Sequence, residues 1–171
     1  MDVRILPQQG TETAHASDVG RRAAQAAQAA RPWGARMAVQ HSHDDAVALA
    51  GRVFGKILDR EADKGGYEYV LYCLESGRKS VRDIVFEFIS SEEFIDRFVM
   101  GKSPEKSVDL IYRLLLGRAP ADEESLKHAQ HRYVRMGLRK FVDRVMSSPE
   151  YLEDVGQDEI PEWGHAWDGV P

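Results

Sequence analysis

Ser103-Pro104-Glu105-Lys106-Ser107-Val108-Asp109-Leu110-Ile111-Tyr112-Arg113-Leu114-Leu115-Leu116-Gly117-Arg118-Ala119-Pro120 contains one complete helix with its own start and stop signals. Ser103 is a capping residue placed before a proline at the first helical position, where a missing N–H is no loss. Val108, Ile111, Leu114 and Leu115 recur at three- and four-residue spacing and share one face. Gly117 ends the helix and Pro120 prevents its resumption.

The same grammar extends in both directions. Downstream, Asp122 opens a longer helix with Leu126, Ala129, Tyr133 and Met136 inward, closed by Gly137. A shorter helix with Phe141, Val142 and Val145 follows, and Ser148-Pro149 caps a last one carrying Tyr151, Leu152 and Val155 to Gly156. Upstream, Ser42 with Asp45 in capping-box position starts a helix bearing Ala46, Ala50, Val53 and Ile57. Tyr67–Ser76 reads as a second helix stopped by Gly77. Ser80 with Asp83 starts a third (Val81, Ile84, Val85, Phe88), and Ser91 a fourth (Phe94, Phe98). No stretch alternates with period two, so the expected fold class is all-α.

An internal repeat supports this. Phe54-Gly55-Lys56, a helix, Gly77, a short helix and Ser90-Ser91-Glu92-Glu93-Phe94 match Leu116-Gly117-Arg118, a helix, Gly137, a short helix and Ser147-Ser148-Pro149-Glu150-Tyr151 in order and spacing. Such units cannot bury their apolar faces alone, so two half-repeats packed into one compact multi-helix domain are expected. The expected organisation is a flexible Ala/Gln-rich arm over residues 1–41, a helical domain over 42–165 and a tail over 166–171. Arg21–Arg31 has high helix propensity but almost no apolar face, so the arm reads either as a flexible segment that becomes helical on a partner, a candidate second attachment point, or as a disordered tail without a role.

Composition narrows the function. Apolar residues at 43% and charged residues at 30% suit a packed core with a soluble surface. No apolar run is long enough to span a membrane, and residues 1–20 lack the apolar stretch of a signal peptide, so residence in the cytosol is expected. The only cysteine, Cys73, sits in an apolar setting and reads as a buried structural thiol. No phosphate-binding loop, dinucleotide fingerprint, zinc-protease motif or nucleophile elbow occurs, so no catalytic residue is assigned. His41 and His43 beside Asp44 and Asp45 lie at a helix start, where caps explain them better than a metal does. His128 and His131 share a face but lack a third ligand, and Glu92-Glu93 and Glu123-Glu124 complement helix dipoles. No metal site is assigned.

The charge of −5 is uneven: residues 150–171 carry seven acids and no Lys or Arg. By contrast Lys127, Arg132, Arg135, Arg139, Lys140 and Arg144 are opposed by Asp143 alone within their segment, and Lys127, His131 and Arg135 fall at i, i+4, i+8. Lys127, His131, Arg132, Arg135, Arg139 and Lys140 are therefore the candidate docking surface for an acidic partner, the alternative being an ordinary solvated face. Overall acidity and the lack of a reading motif argue against nucleic acid.

Leu114-Leu115-Leu116-Gly117-Arg118-Ala119-Pro120, Ser147-Ser148-Pro149-Glu150-Tyr151 and Val155-Gly156-Gln157-Asp158-Glu159-Ile160-Pro161 resemble the repeat elements of the phycobilisome linker domain. In the first half Arg52-Val53-Phe54-Gly55, Glu75-Ser76-Gly77 and Ser91-Glu92-Glu93-Phe94 fit the same pattern. The resemblance covers residues 43–165. It implies a non-catalytic protein that binds ring-shaped phycobiliprotein hexamers (phycocyanin or allophycocyanin) or a photosystem. It also implies a peripheral place on the cytoplasmic or stromal face of thylakoids and no cofactor of its own, the bilins being carried by the partners. Phycobiliproteins are acidic, which suits the basic cluster. Trp163 and Trp167, placed near a bilin, would exclude water and shift its absorption. A linker domain outside its ring exposes contact surface, which makes self-association an expectation too. A related helical repeat of bacterial surface and glycosyltransferase proteins shares the Leu-Gly-Arg-x-Pro and Ser-Pro-Glu-aromatic elements. The alternative is thus an interaction module unrelated to photosynthesis, against which the Gly156–Pro161 closure counts.

Overall fold

Helices leave four backbone N–H groups each without an intrahelical partner, and among the described residues a side chain caps the start of every α-helix. The structure, a computed structural model, describes residues 38–161. Its elements are α1 (His43–Leu58), α2 (Lys64–Glu75), α3 (Val81–Ile89), α4 (Glu92–Phe94) running into a π-helical turn (Ile95–Val99), α5 (Pro104–Leu116), α6 (Glu123–Met146) and α7 (Pro149–Asp154). Ser42, Asp63, Ser80, Ser91, Ser103, Asp122 and Ser148 each accept a hydrogen bond from the amide three residues on. At α3 the box is complete, since the Asp83 carboxylate also accepts from the Ser80 amide at 3.0 Å. At α1 the Asp45 carboxylate is bonded by the Ser42 hydroxyl at 2.6 Å. Among the described residues every regular element is helical, and the all-α expectation holds.

The apolar stripes meet in one core. Ala50, Val53 and Ile57 of α1 are buried with Val70 and Leu74 of α2, Ile84 and Val85 of α3, and Val108, Ile111 and Leu115 of α5. Phe141, Val142 and Met146 from the second part of α6 complete it, and Cys73 is buried there as expected. The segment after α7 closes the core: Ile160 and Pro161 are buried, and the Arg82 amide donates to Gln157 O at 3.0 Å.

One arrangement occurs twice. α1 ends at Asp59 and α5 at Gly117, both in the left-handed region. The next residue is arginine each time. Arg60 forks onto Glu93, with Nε to Oε1 at 2.5 Å and Nη2 to Oε2 at 2.8 Å. Arg118 forks onto Glu150 in the same way, at 2.6 and 2.7 Å. Each guanidinium also bonds the carbonyl of the residue after it and lies over an aromatic ring of the preceding helix, Phe54 or Tyr112. Each glutamate is followed by a fully buried aromatic residue, Phe94 or Tyr151. The counterpart of Leu116-Gly117-Arg118 is therefore Leu58-Asp59-Arg60. Phe54-Gly55-Lys56, which the sequence repeat suggested, lies inside α1; Gly55 drew attention as a glycine, whereas the turn is made by an aspartate.

Two other details differ from the sequence reading. α2 begins at Lys64, capped by Asp63, rather than at Tyr67. Gly65 and Gly66 sit in its first turn, and a Cβ on Gly66 would stand 2.6 Å from the Phe54 ring. The fourth helix tightens no further than Phe94 before opening into a π turn, in which the Met100 amide reaches Ile95 O at 2.7 Å. No periodicity announces that turn.

The Tyr151 hydroxyl is enclosed and has no hydrogen-bond partner among the described residues, and burial pushes its pKa up. An unmet hydroxyl costs about 1–3 kcal/mol. Tyr151→Phe, which restores the chemistry of Phe94 in the first half, is expected to keep or raise the thermal midpoint. Phe94→Ala is expected to lower stability by about 3–5 kcal/mol. Thermal unfolding checks both, and a large loss in Tyr151→Phe would contradict this reading of the hydroxyl.

Candidate docking surface

The basic cluster is carried by α6, and the helix does not run straight through it. Gly137 breaks the helix, with φ 77° and ψ 165°, while the backbone is helical on both sides. Only glycine adopts that conformation freely. Lys127, His131, Arg132 and Arg135 stand on the first part, whereas Arg139 and Lys140 stand on the second. The expectation that Gly137 closes the longer helix thus appears as a change of direction between two helical parts.

The cations differ in what holds them. Lys127 is bonded to Glu123 at 2.6 Å, so the first member of the i, i+4, i+8 stripe is largely neutralised on its own helix. His131, Arg135 and Lys140 are exposed and make no side-chain hydrogen bond or ion pair among the described residues. Arg132 is half-buried, with its Nε enclosed and unbonded. Arg139 lies over the Phe86 ring of α3, its guanidinium carbon 5.0 Å from the ring centre. Val134, which the sequence reading passed over, is exposed on the same face, three residues from His131. The exposed arginines and lysines of α6 without an ion pair among the described residues are therefore Arg135, Arg139, Lys140 and Arg144. Trp163 and Trp167 lie outside the described residues.

The other polar candidates are engaged structurally. His43 Nδ1 is 2.6 Å from Glu75 Oε1, and His128 Nε2 is 3.6 Å from Glu124. Among the described residues no group of three or more His, Cys, Asp or Glu side chains gathers as a metal would require. An open groove of about 270 Å³ lies between α1, α2 and α3, floored by Phe54, Leu58 and Phe88. The acids on its rim already have partners: Glu93 binds Arg60 and Arg97, Glu87 binds Lys79 and Tyr69, and Asp63 caps α2. The Arg60 hydrogen bond holds the Glu93 carboxyl below its ordinary pKa. These groups hold one another and leave no poised acid–base pair. No described helix is long and apolar enough to cross a membrane.

The sequence pattern of the family described as Phycobilisome Linker polypeptide matches residues 45–163. The chain belongs to the phycobilisome linker polypeptide family. Similar members include a phycocyanin-associated rod linker polypeptide of 32.3 kDa from Picosynechococcus, 30% identical over 71% of this chain and 42% of that protein. Phycobiliprotein ApcE of Microchaete diplosiphon is 34% identical over 64% of this chain but only 10% of its own length. The 37.5 kDa rod linker polypeptide of the same organism is 31% identical over 53% of this chain and 34% of that protein. This linker-family chain thus spans less than half the length of these relatives. The matched region holds both arginine–glutamate forks and all of α6, so the candidate surface lies within the family's own domain.

Two outcomes are expected. Gly137→Ala meets no steric obstacle, since nothing lies within 4 Å of the added Cβ, but it forces a side chain into a glycine-only conformation. A loss of about 1–3 kcal/mol is expected in thermal or denaturant unfolding, and an unchanged midpoint would contradict the bent α6. His43 has its pKa raised above 6.5 by the hydrogen bond and then the charge of Glu75. Its contribution is complete below 6.5 and is lost as pH rises through the raised folded value. Proton NMR of the imidazole should show a midpoint above 6.5 that falls in Glu75→Gln.

Proposed function

We propose that this chain is a non-catalytic linker domain that seats against phycobiliprotein discs through the outer face of α6 and so organises antenna assembly and energy transfer. The observation that carries the reading is the placement of Arg135, Arg139 and Lys140 as exposed cations at the bend of α6, inside the part of the chain that matches the family. Phycobiliproteins are acidic, so a cationic face steers encounter and fixes orientation, while shape complementarity supplies the rest of the affinity. The rod linkers similar to this chain are phycocyanin-associated by name, which makes phycocyanin the first partner to test. Allophycocyanin or a photosystem is the next. The bilins belong to the partners, and Trp163 or Trp167 beside one of them would shift its absorption. Residues 1–41 would add a second contact, turning a weak tether into avid attachment. The place that follows is peripheral, at the thylakoid surface.

Co-sedimentation with phycocyanin and with allophycocyanin hexamers tests this, with absorption and emission of the pellet as readout. Retention with a shifted bilin spectrum is expected, and no retention at low and moderate salt would overturn the reading. Arg135→Ala combined with Lys140→Ala is expected to weaken binding about tenfold at low ionic strength, the sum of two exposed charges near 0.5–1 kcal/mol each. The difference should shrink as salt rises, because exposed charges are screened within about 8–10 Å.

A further inference from the structure

Six basic or titratable side chains share the candidate surface, but they are not equally ready to bind. A long side chain in water must give up rotamer freedom before it can hold a partner. Arg135 and Lys140 stand free on their helices and bear that cost in full. Lys127 is tied to Glu123 on its own helix. Arg132 is half-buried with its Nε turned inside. Arg139 differs: it is exposed, yet its guanidinium lies on the Phe86 ring. The ring face engages the π system and none of the five N–H donors.

What holds Arg139 is itself fixed. Phe86 belongs to α3, whose start is locked by the complete capping box and whose Arg82 is tied to Ser147 Oγ at 3.0 Å and, through its amide, to Gln157. Arg139 stands two residues past Gly137, so the bend in α6 sets its approach to α3. Phe86 and Arg139 are 53 residues apart and meet only through the fold.

We propose that Arg139 is the specificity-determining residue of the α6 surface: held on Phe86, it receives a carboxylate of an acidic disc protein in a two-pronged contact, while Arg135 and Lys140 supply field. The inference rests on the docking function proposed above. The same two-pronged geometry is realised twice within this chain, at Arg60–Glu93 and Arg118–Glu150, each with the arginine laid over a ring of its own half. A ring-supported arginine is thus a device the fold already uses to grip glutamate, and at Arg139 the glutamate is left for the partner to provide. Lysine cannot substitute there, because an ammonium offers no planar fork.

The experiment uses the full chain and phycocyanin hexamers, with Arg139→Lys, Arg135→Lys and Phe86→Leu compared by equilibrium binding across a salt series. Arg139→Lys is expected to weaken binding about tenfold although the charge is kept, and Arg135→Lys to leave it within about twofold. Phe86→Leu, checked for an unchanged helical spectrum, is expected to weaken binding about threefold with the wild-type salt slope, since no charge is removed. Wild-type affinity in Arg139→Lys would overturn the proposal while leaving the docking function standing. Failure of the unsubstituted chain to bind either phycocyanin or allophycocyanin would overturn the docking function and this inference with it.

Discussion

Two fully buried aromatic rings, Phe94 and Tyr151, anchor the short helices α4 and α7 in the core. Around each ring three interactions converge on four consecutive residues. A serine caps the amide of the aromatic residue itself, the glutamate before the ring is forked by an arginine from the turn after the preceding helix, and the ring fills the core. Magnitudes separate their roles. Burying such a ring is worth about 1.5–3 kcal/mol, and the loss on truncation is larger because a cavity remains. The arginine–glutamate forks are partly exposed, with about a third of each side chain or more in solvent, and pairs of that kind contribute at most about 1 kcal/mol. Burial therefore drives the packing, and the fork fixes the angle at which each short helix leaves its turn.

The two arginine–glutamate turns are alike, whereas the helices that follow them differ on their outer faces. α2 and the first part of α6 follow the corresponding arginine turns and are both capped by aspartate, Asp63 and Asp122. α2 presents Tyr69 and Tyr72 outward, with Lys79 and Arg78 over their rings. At the same place α6 presents His131, Val134 and Arg135. On α6, Arg135 and Lys140 are exposed and have no ion pair among the described residues.

Much of this was legible in the sequence because it is local. A capping serine or aspartate acts within three residues, and an apolar stripe repeats within one helix, so the starts at Ser80, Ser91, Ser103 and Ser148 could be read directly. The start of α2 at Lys64 is less plain, because two glycines of low helix propensity follow it, and the closeness of Phe54 is what favours glycine at 66. The π turn leaves no mark in composition. The neutralisation of Lys127 had a signal, a glutamate four residues before it, but the count of cations obscured it. The forks joining Arg60 to Glu93 and Arg118 to Glu150, and the seating of Arg139 on Phe86, link residues more than thirty positions apart. Their motifs were visible as repeats, whereas their partners were not.

We propose that the α6 surface, and not another face of the domain, meets the disc. Hydrogen–deuterium exchange of the full chain, free and saturated with phycocyanin hexamers, distinguishes the faces. Added protection is expected to centre on residues 131–144, with the exposed face of α2 little changed. Protection confined to α2 and the groove beside Phe54, with α6 exchanging as in the free chain, would contradict it.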